Sequence, residues 1–238
     1  MKFNNYYCNI KYVFTGMLVI FISLSAQSKT HLLDSSERKV MARFGITSTA
    51  LLATSFFMDK PIQNSVNHIQ NSYIDDFTNY ANYGGNKKIV LPMNLLLLGS
   101  GYLFNDEKLK STSWNAFKSI GAAALATEFL KLSFSRARPY KQKGPYHFDP
   151  VAWRNNAYKS LPSGHTSLAF AFITPYAEEY SRWLYAIPLS VAFSRVYKND
   201  HWTSDIVLGS IIGFTAGYFF HYKDRNITIS FNKIVVRF

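Results

Sequence analysis

Cysteine is almost missing from this 238-residue chain: Cys8 is the single one. No intrachain disulfide can form, so the fold does not depend on redox compartment, and cysteine usage says nothing about location. Charged residues are also scarce, at 17%, no more than the aromatic share of 17%. A nucleic-acid binder normally carries more charge, so this balance argues against that class and for a membrane or membrane-surface setting. Acidic residues are fewest: 14 Asp and Glu against 26 Lys and Arg, for a formal charge of +12 and a pI near 9.6. That sign suits an anionic partner such as a phosphate ester or an acidic lipid headgroup. The mean hydropathy of −0.06 is low for a bundle that spans a bilayer throughout.

A long apolar run is missing from the N-terminus. Lys2 and Lys11 precede the short stretch Val13–Ile22, and Ser23, Ser25 and Ala26 offer small residues for cleavage. Residues 1–26 therefore read as a secretory signal, with an uncleaved N-terminal anchor as the alternative. Residues 27–238 read as one domain, with a core of about 40–222. A helix is expected over Glu37–Met58. Pro61 then restarts the chain as an amphipathic helix to residue 83, which Gly84-Gly85 ends. Further helices are expected over Ile89–Phe104 and Ser111–Ser135, where Ala122, Ala123, Ala124, Leu125 and Ala126 let a neighbour approach closely. A loop covers 139–162, and helices follow over 163–180, 183–198 and 203–221. The tail from Asn226 to Phe238 alternates like an isolated strand. The fold class is an all-α bundle of about six helices, apolar enough to enter a membrane, with a short β-like tail.

Three segments carry chemistry. Lys131, Arg138 and Pro139 form K-x6-R-P. Seven residues are two helical turns, so both cations face one side of a helix that Pro139 stops. Ser163, Gly164 and His165 lie in L-P-S-G-H-T, where a loop enters an apolar helix. Ser163 is a natural N-cap, Gly164 leaves first-turn amides open to an anion, and His165 faces the same anion as a proton donor. Ser194, Arg195, His201 and Asp205 form S-R-x5-H-x3-D. Four residues apart, Asp205 can touch His201, fix its tautomer and leave the other ring nitrogen free to attack. Thr203 or Ser204 would cap that helix. Of the other histidines, His31 and His221 read as surface residues, and His147 in the loop reads as solvent-exposed.

In this order, the three segments resemble the signature of the type 2 phosphatidic acid phosphatase (PAP2) and vanadium haloperoxidase superfamily, and every signature position is present. The resemblance spans Lys131–Asp205. It implies a helical bundle with a phosphate pocket that needs no metal or other cofactor. His201 would be the nucleophile that forms a phosphohistidine, and Asp205 would orient it. His165 would protonate the leaving alcohol and then activate water. Lys131, Arg138, Arg195, Ser163 and the Gly164 amide would hold the non-bridging oxygens, their charge replacing that of a metal.

The reading that follows is a phosphatase acting on a lipid phosphate or pyrophosphate at the periplasmic side of the cell envelope, embedded in or bound to the inner membrane. Nucleic acid is not expected as a partner. The alternative is a soluble secreted non-specific acid phosphatase, which the low hydropathy and Glu178-Glu179 within an apolar helix favour. Minor alternatives are a vanadium-dependent haloperoxidase and an inactive lipid-binding relative.

Overall fold

The computed structural model describes residues 35–230 and 233–236; the expected signal at residues 1–26 lies outside them. Seven α-helices are formed among the described residues: α1 (Ser35–His68), α2 (Ser72–Tyr83), α3 (Lys87–Leu103), α4 (Glu107–Phe134), α5 (Gly164–Glu179), α6 (Ala186–Tyr197) and α7 (Thr203–Asn226). The tail is a two-stranded antiparallel hairpin, β1 (Ile227–Ser230) on β2 (Lys233–Val236), rather than an isolated strand. A lone strand would leave its backbone groups without partners, and the second strand supplies them.

Side-chain caps set several of the boundaries. Asn71, Asn86 and Asp106 accept from the amides of Ile74, Lys88 and Leu109 and start α2, α3 and α4. Pro61 does not restart the chain, because α1 runs through it. The proline sits on the exposed side of the helix, and the break falls at residues 69–71, where Asn71 can cap. The segment expected as one amphipathic helix is thus the end of α1 followed by α2.

α5 is the central helix, with α4 and α7 packed along it. Val90 of α3, Ala116, Ile120 and Ala123 of α4, and Ala171, Ile173 and Tyr176 of α5 form one core. A second core, made by Leu52 and Phe56 of α1, Phe148 and Leu161 of the 135–163 loop and Leu208 of α7, fastens that loop to one end of the bundle. Each such fully buried side chain stabilises the fold by roughly 1.5–3 kcal/mol.

Ala123 of the alanine run is fully buried against α5, and glycines of α7 make a second close approach. A Cβ placed on Gly209, Gly213 or Gly217 of α7 would lie 2.7, 2.2 or 2.5 Å from atoms of Ser163, Ser167 or Thr174. This small-x3-small stripe draws α7 against the backbone of α5.

Outside the core, large apolar side chains face outward around the bundle: Leu96 of α3 is 68% exposed, Leu125 and Phe129 of α4 are 77% and 67%, and Leu189 of α6 is 59%. Large apolar side chains exposed on several helices suit a membrane or partner interface. Thr203–Tyr222 in α7 is the one helix among the described residues long and apolar enough to cross a bilayer by length and composition. Glu178 and Glu179 sit at the end of α5, not within a would-be span. Glu178 accepts from the Tyr185 hydroxyl, and Glu179 pairs with Lys108 at 3.2 Å and lies 3.9 Å from His221. His221 is therefore buried, not a surface residue.

Candidate active site

The three sequence segments meet at the bundle end where α4 finishes and α5 and α7 begin. Ser163 occupies the position before α5, but its hydroxyl does not cap the helix. It accepts from the Thr166 hydroxyl at 3.0 Å instead. The opening amides of α5 are thus left without a side-chain cap, and an uncapped helix N-terminus is an anion site by partial charge and donor geometry. Gly164 leaves room for Lys131, since a Cβ there would meet the Lys131 ammonium at 2.9 Å and push it aside. His165 follows in the first turn. The α2–α3 turn holds it from behind, because Gly85 packs so tightly on the His165 backbone that a Cβ would lie 2.5 Å from its carbonyl oxygen.

His201 lies in the turn between α6 and α7, with its amide bonded to the Arg195 carbonyl at 3.2 Å. Its ring is 3% exposed as a residue, and Nδ1 stands 2.8 Å from the Ser160 carbonyl and 3.5 Å from a carboxylate oxygen of Asp205. Both neighbours are acceptors, so Nδ1 carries the proton and Nε2 carries the lone pair. The expected Asp205 contact exists, yet the nearer partner is the backbone carbonyl. Burial pushes the His201 imidazole down to about 4; Arg138 and Arg195 add to the shift, and Asp205 opposes it. His165 is pushed down to about 3, first by burial and then by Arg195, His201, Lys131 and Arg138. Both rings are neutral at pH 7 before an anion arrives.

The three cations reach the site by separate routes. Lys131 and Arg138 do not share a helix face, because α4 ends at Phe134 and Ser135 takes a left-handed conformation, φ 43°. The chain then runs through a bridge between Arg136 and Phe148, and Pro139 opens a short 3₁₀ turn rather than stopping the helix. Lys131 pairs with Glu128 at 3.2 Å. Arg138 and Arg195 share Asp200, at 3.7 and 3.0 Å. Arg195 also donates to Asn82 of α2 at 2.7 Å, and its buried Nε has no partner among the described residues. A tetrahedral oxyanion would supply the acceptor that this donor lacks.

Several residues of the site were not singled out from sequence. Arg136, two positions before Arg138, is fully buried. It donates to Asp205 at 2.6 Å and to Asp59 of α1 at 2.7 Å. Asp59 also accepts from the Ser204 amide at 2.8 Å, so the start of α7 is capped from another helix rather than by Thr203 or Ser204. Ser160 donates its hydroxyl to Asp205, and Asn82 steadies Arg195. One signal was present: a single acid following the apolar run S-F-F-M is costly unless it finds a buried partner. His147, expected in solvent, is partly buried, with its ring 6.0 Å from that of Tyr158.

Comparison with known proteins agrees with this geometry. Residues 112–228 match the model of the PAP2 superfamily. A lipid A 1-phosphatase of Porphyromonas gingivalis is 36% identical over 81 residues, 31% of this chain and 18% of the relative. A lipid A 1-phosphatase of Rhizobium etli is 28% identical over 102 residues, 41% of this chain and 44% of the relative. The matches thus span less than half the length of these relatives. Among solved structures, Aquifex aeolicus LpxE superposes with a TM-score of 0.54 at 20% identity, covering 68% of this chain and 94% of that one. The first transmembrane PAP2-type phosphatidylglycerolphosphate phosphatase from Bacillus subtilis superposes with a TM-score of 0.55 at 18% identity, covering 92% and 98%. Both likenesses concern the fold. With its three motifs gathered at one end of that bundle, the chain matches the PAP2 superfamily over residues 112–228.

Proposed function

We propose that this protein is a metal-independent phosphatase that cleaves a phosphomonoester or pyrophosphate carried by a membrane lipid, through a phosphohistidine on His201. The observation that carries the reading is His201 Nδ1 set against two acceptors, the Ser160 carbonyl at 2.8 Å and the Asp205 carboxylate at 3.5 Å, which leaves Nε2 as the ring atom free to attack. In the first step Nε2 attacks phosphorus and the bond to the leaving oxygen breaks, while His165 takes the proton that the phosphate monoanion brought and passes it to that oxygen. In the second, His165 takes a proton from water, the oxygen of which attacks phosphorus and breaks the P–N bond. Lys131, Arg138, Arg195 and the opening amides of α5 hold the charge on the non-bridging oxygens. Residues 27–238 act as one unit, built on a core of about 40–222 and delivered by the N-terminal segment.

The lipid substrate is supported by the outward apolar surface and by the lipid A 1-phosphatases among the relatives. In this reading the apolar belt lies in hydrocarbon, and the site lies at headgroup level on the periplasmic side of the inner membrane. A soluble acid phosphatase would share the pocket, and the low mean hydropathy is the observation in its favour. Detergent-purified full-length protein with EDTA, given a panel of lipid phosphates and one soluble ester, decides between them. Lipid-selective phosphate release that survives EDTA is expected. Equal turnover of the soluble ester would move the assignment to the soluble class, and loss with EDTA would end the metal-free route.

The pH profile follows from the two histidines. His201 must be neutral to attack, which holds above about 4. Because His165 is neutral in the free pocket, the proton for the leaving group arrives with the phosphate monoanion, which loses it near a second pKa of about 6. The kcat/KM profile should therefore be bell-shaped, with its maximum between these values, on the acid side of neutrality. A maximum above pH 8 would contradict this account.

A further inference from the structure

Asp59 lies in α1, far in sequence from every motif, and its hydrogen bonds go to Arg136 and Ser204 rather than to a motif residue. It is nevertheless 1% exposed and makes three hydrogen bonds. One carboxylate oxygen accepts from the Ser204 amide at 2.8 Å. The other accepts from the Ser204 hydroxyl and from Arg136 Nη2, both at 2.7 Å. Arg136 turns its other amino group, Nη1, to Asp205 at 2.6 Å, and its Nε donates to the Pro145 carbonyl at 2.8 Å. The rings of Phe56, Phe148 and Trp202 surround the guanidinium, with centroids 5.1, 5.7 and 5.6 Å away.

We propose that Asp59 is a positioning residue for the His201–Asp205 pair, acting through Arg136. A guanidinium and a carboxylate left to themselves favour a two-pronged fork. Asp59 takes one prong, so Arg136 can offer Asp205 only Nη1, on one carboxylate oxygen. The other oxygen of Asp205 stays on the far side, where it accepts from the Trp202 amide at 2.8 Å and the Ser160 hydroxyl and faces His201 Nδ1. Asp59 thereby keeps half of the Asp205 carboxylate for the histidine. The buried Asp59–Arg136–Asp205 chain carries two negative charges and one positive, so one negative charge is left over beside the ring that becomes cationic on attack.

This inference rests on His201 as the nucleophile, and its test separates the two. His201 also faces Arg138 from the 135–163 loop, Arg195 from α6 and His165 from α5, with Asp200 next to it and Lys131 of α4 beyond. None of these is altered in the variants. The first arm is kinetic: Asp59→Asn should lower kcat about a hundredfold by misplacement, with KM changed by no more than about threefold because phosphate contacts remain. The second arm needs no turnover: nitrogen-15 spectra of histidine-labelled protein in detergent, with the His201 signals assigned by their loss in His201→Ala. In Asp59→Asn, Arg136 closes its fork on Asp205 and His201 should titrate at lower pH than in wild type. In Arg136→Met, Asp205 turns to the histidine and His201 should titrate at higher pH. The double variant, which removes both charges and is the fallback if Asp59→Asn does not fold, should follow Arg136→Met. Shifts of opposite sign with a double variant that follows Arg136→Met support positioning, and a double variant that titrates like wild type, as two cancelling charges would make it, overturns it. Unchanged titration in all three, or shifts of the same sign in both single variants, overturns it. Wild type that releases no phosphate yet shows the opposite shifts would remove the phosphatase reading and leave the positioning intact.

Discussion

Replacing His201 by Ala should lower phosphate release by a factor on the order of 10⁴ to 10⁶, the loss seen when a covalent nucleophile is removed from a preorganised site. No other ring nitrogen can take its place, because His165 is fixed in the first turn of α5 with Gly85 packed against its backbone. His165→Ala should cost less, about 10² to 10⁴, as expected for an acid–base group. The two losses differ in kind. A nitrophenyl phosphate leaves without a proton, so it should restore the first step in His165→Ala while leaving the second slow. An acid-labile phosphoprotein should then accumulate in that variant, with a burst of nitrophenol and little steady turnover. The same ester should produce no phosphoprotein in His201→Ala. A phosphoprotein that forms equally well without His201 would place the covalent step elsewhere.

The second large effect is expected at a position whose nearest neighbours, Ser167, Phe170 and Ala171, carry no charge. Gly213→Leu puts a side chain where even a Cβ would sit 2.2 Å from the Ser167 carbonyl oxygen and 2.7 Å from Phe170. Those neighbours belong to α5, one of them backbone, so α7 has to move outward as a whole. Overpacking of this severity costs about 3 kcal/mol or more. Because α5 starts with Ser163–His165 and α7 starts just after His201, the shift also separates the two histidines. Activity should fall at temperatures where the variant is still folded, by about a hundredfold for a displacement near 1 Å. Gly99→Ala in α3 is the matched control, since a Cβ there meets nothing within 4 Å. It should hold or raise the unfolding temperature, alanine being favoured in a helix by about 1 kcal/mol. Thermal unfolding followed by circular dichroism, with turnover measured below the transition, reads both outcomes. Equal behaviour of the two variants would mean that α5 and α7 do not need this close contact.

The architecture was legible because each motif sits at a junction between an apolar helix and a loop, and such junctions collect at the ends of a bundle. The identity of the grouped residues therefore followed from spacing, and so did the flanking helices. What spacing could not give was the partner of each group. An i, i+4 pair suggested that Asp205 alone would fix His201, yet the Ser160 carbonyl, from a loop, is closer. Pro61 looked like a break, but a proline on an exposed helix side forfeits one backbone bond and spares the rest. Ser163 had the right type and place for a cap, yet its hydroxyl found Thr166. The alanine run in α4 does pack on α5 through Ala123, but three glycines spaced by four in α7 make a further tight contact. Their meaning depends on which helix lies opposite, and a linear pattern does not contain that. Asp59 and Arg136 were hidden for the same reason: their connection joins positions 77 apart.

The pairing of the site's cations bears on how its product departs. Lys131, Arg138 and Arg195 bring three positive charges, but Glu128 and Asp200 already stand against them as two carboxylates. Their net charge is thus +1 before any oxyanion enters. Under the proposed function, an incoming phosphate would compete with Asp200 for both guanidinium groups, and the hold on it would be correspondingly softened. Once free phosphate forms, the same carboxylate is at hand to reclaim Arg138 and Arg195 and exchange the ion out. On that reading the built-in acid would set the pocket for rapid exchange rather than storage, and inhibition by accumulated phosphate should be weak for a site with so many basic residues.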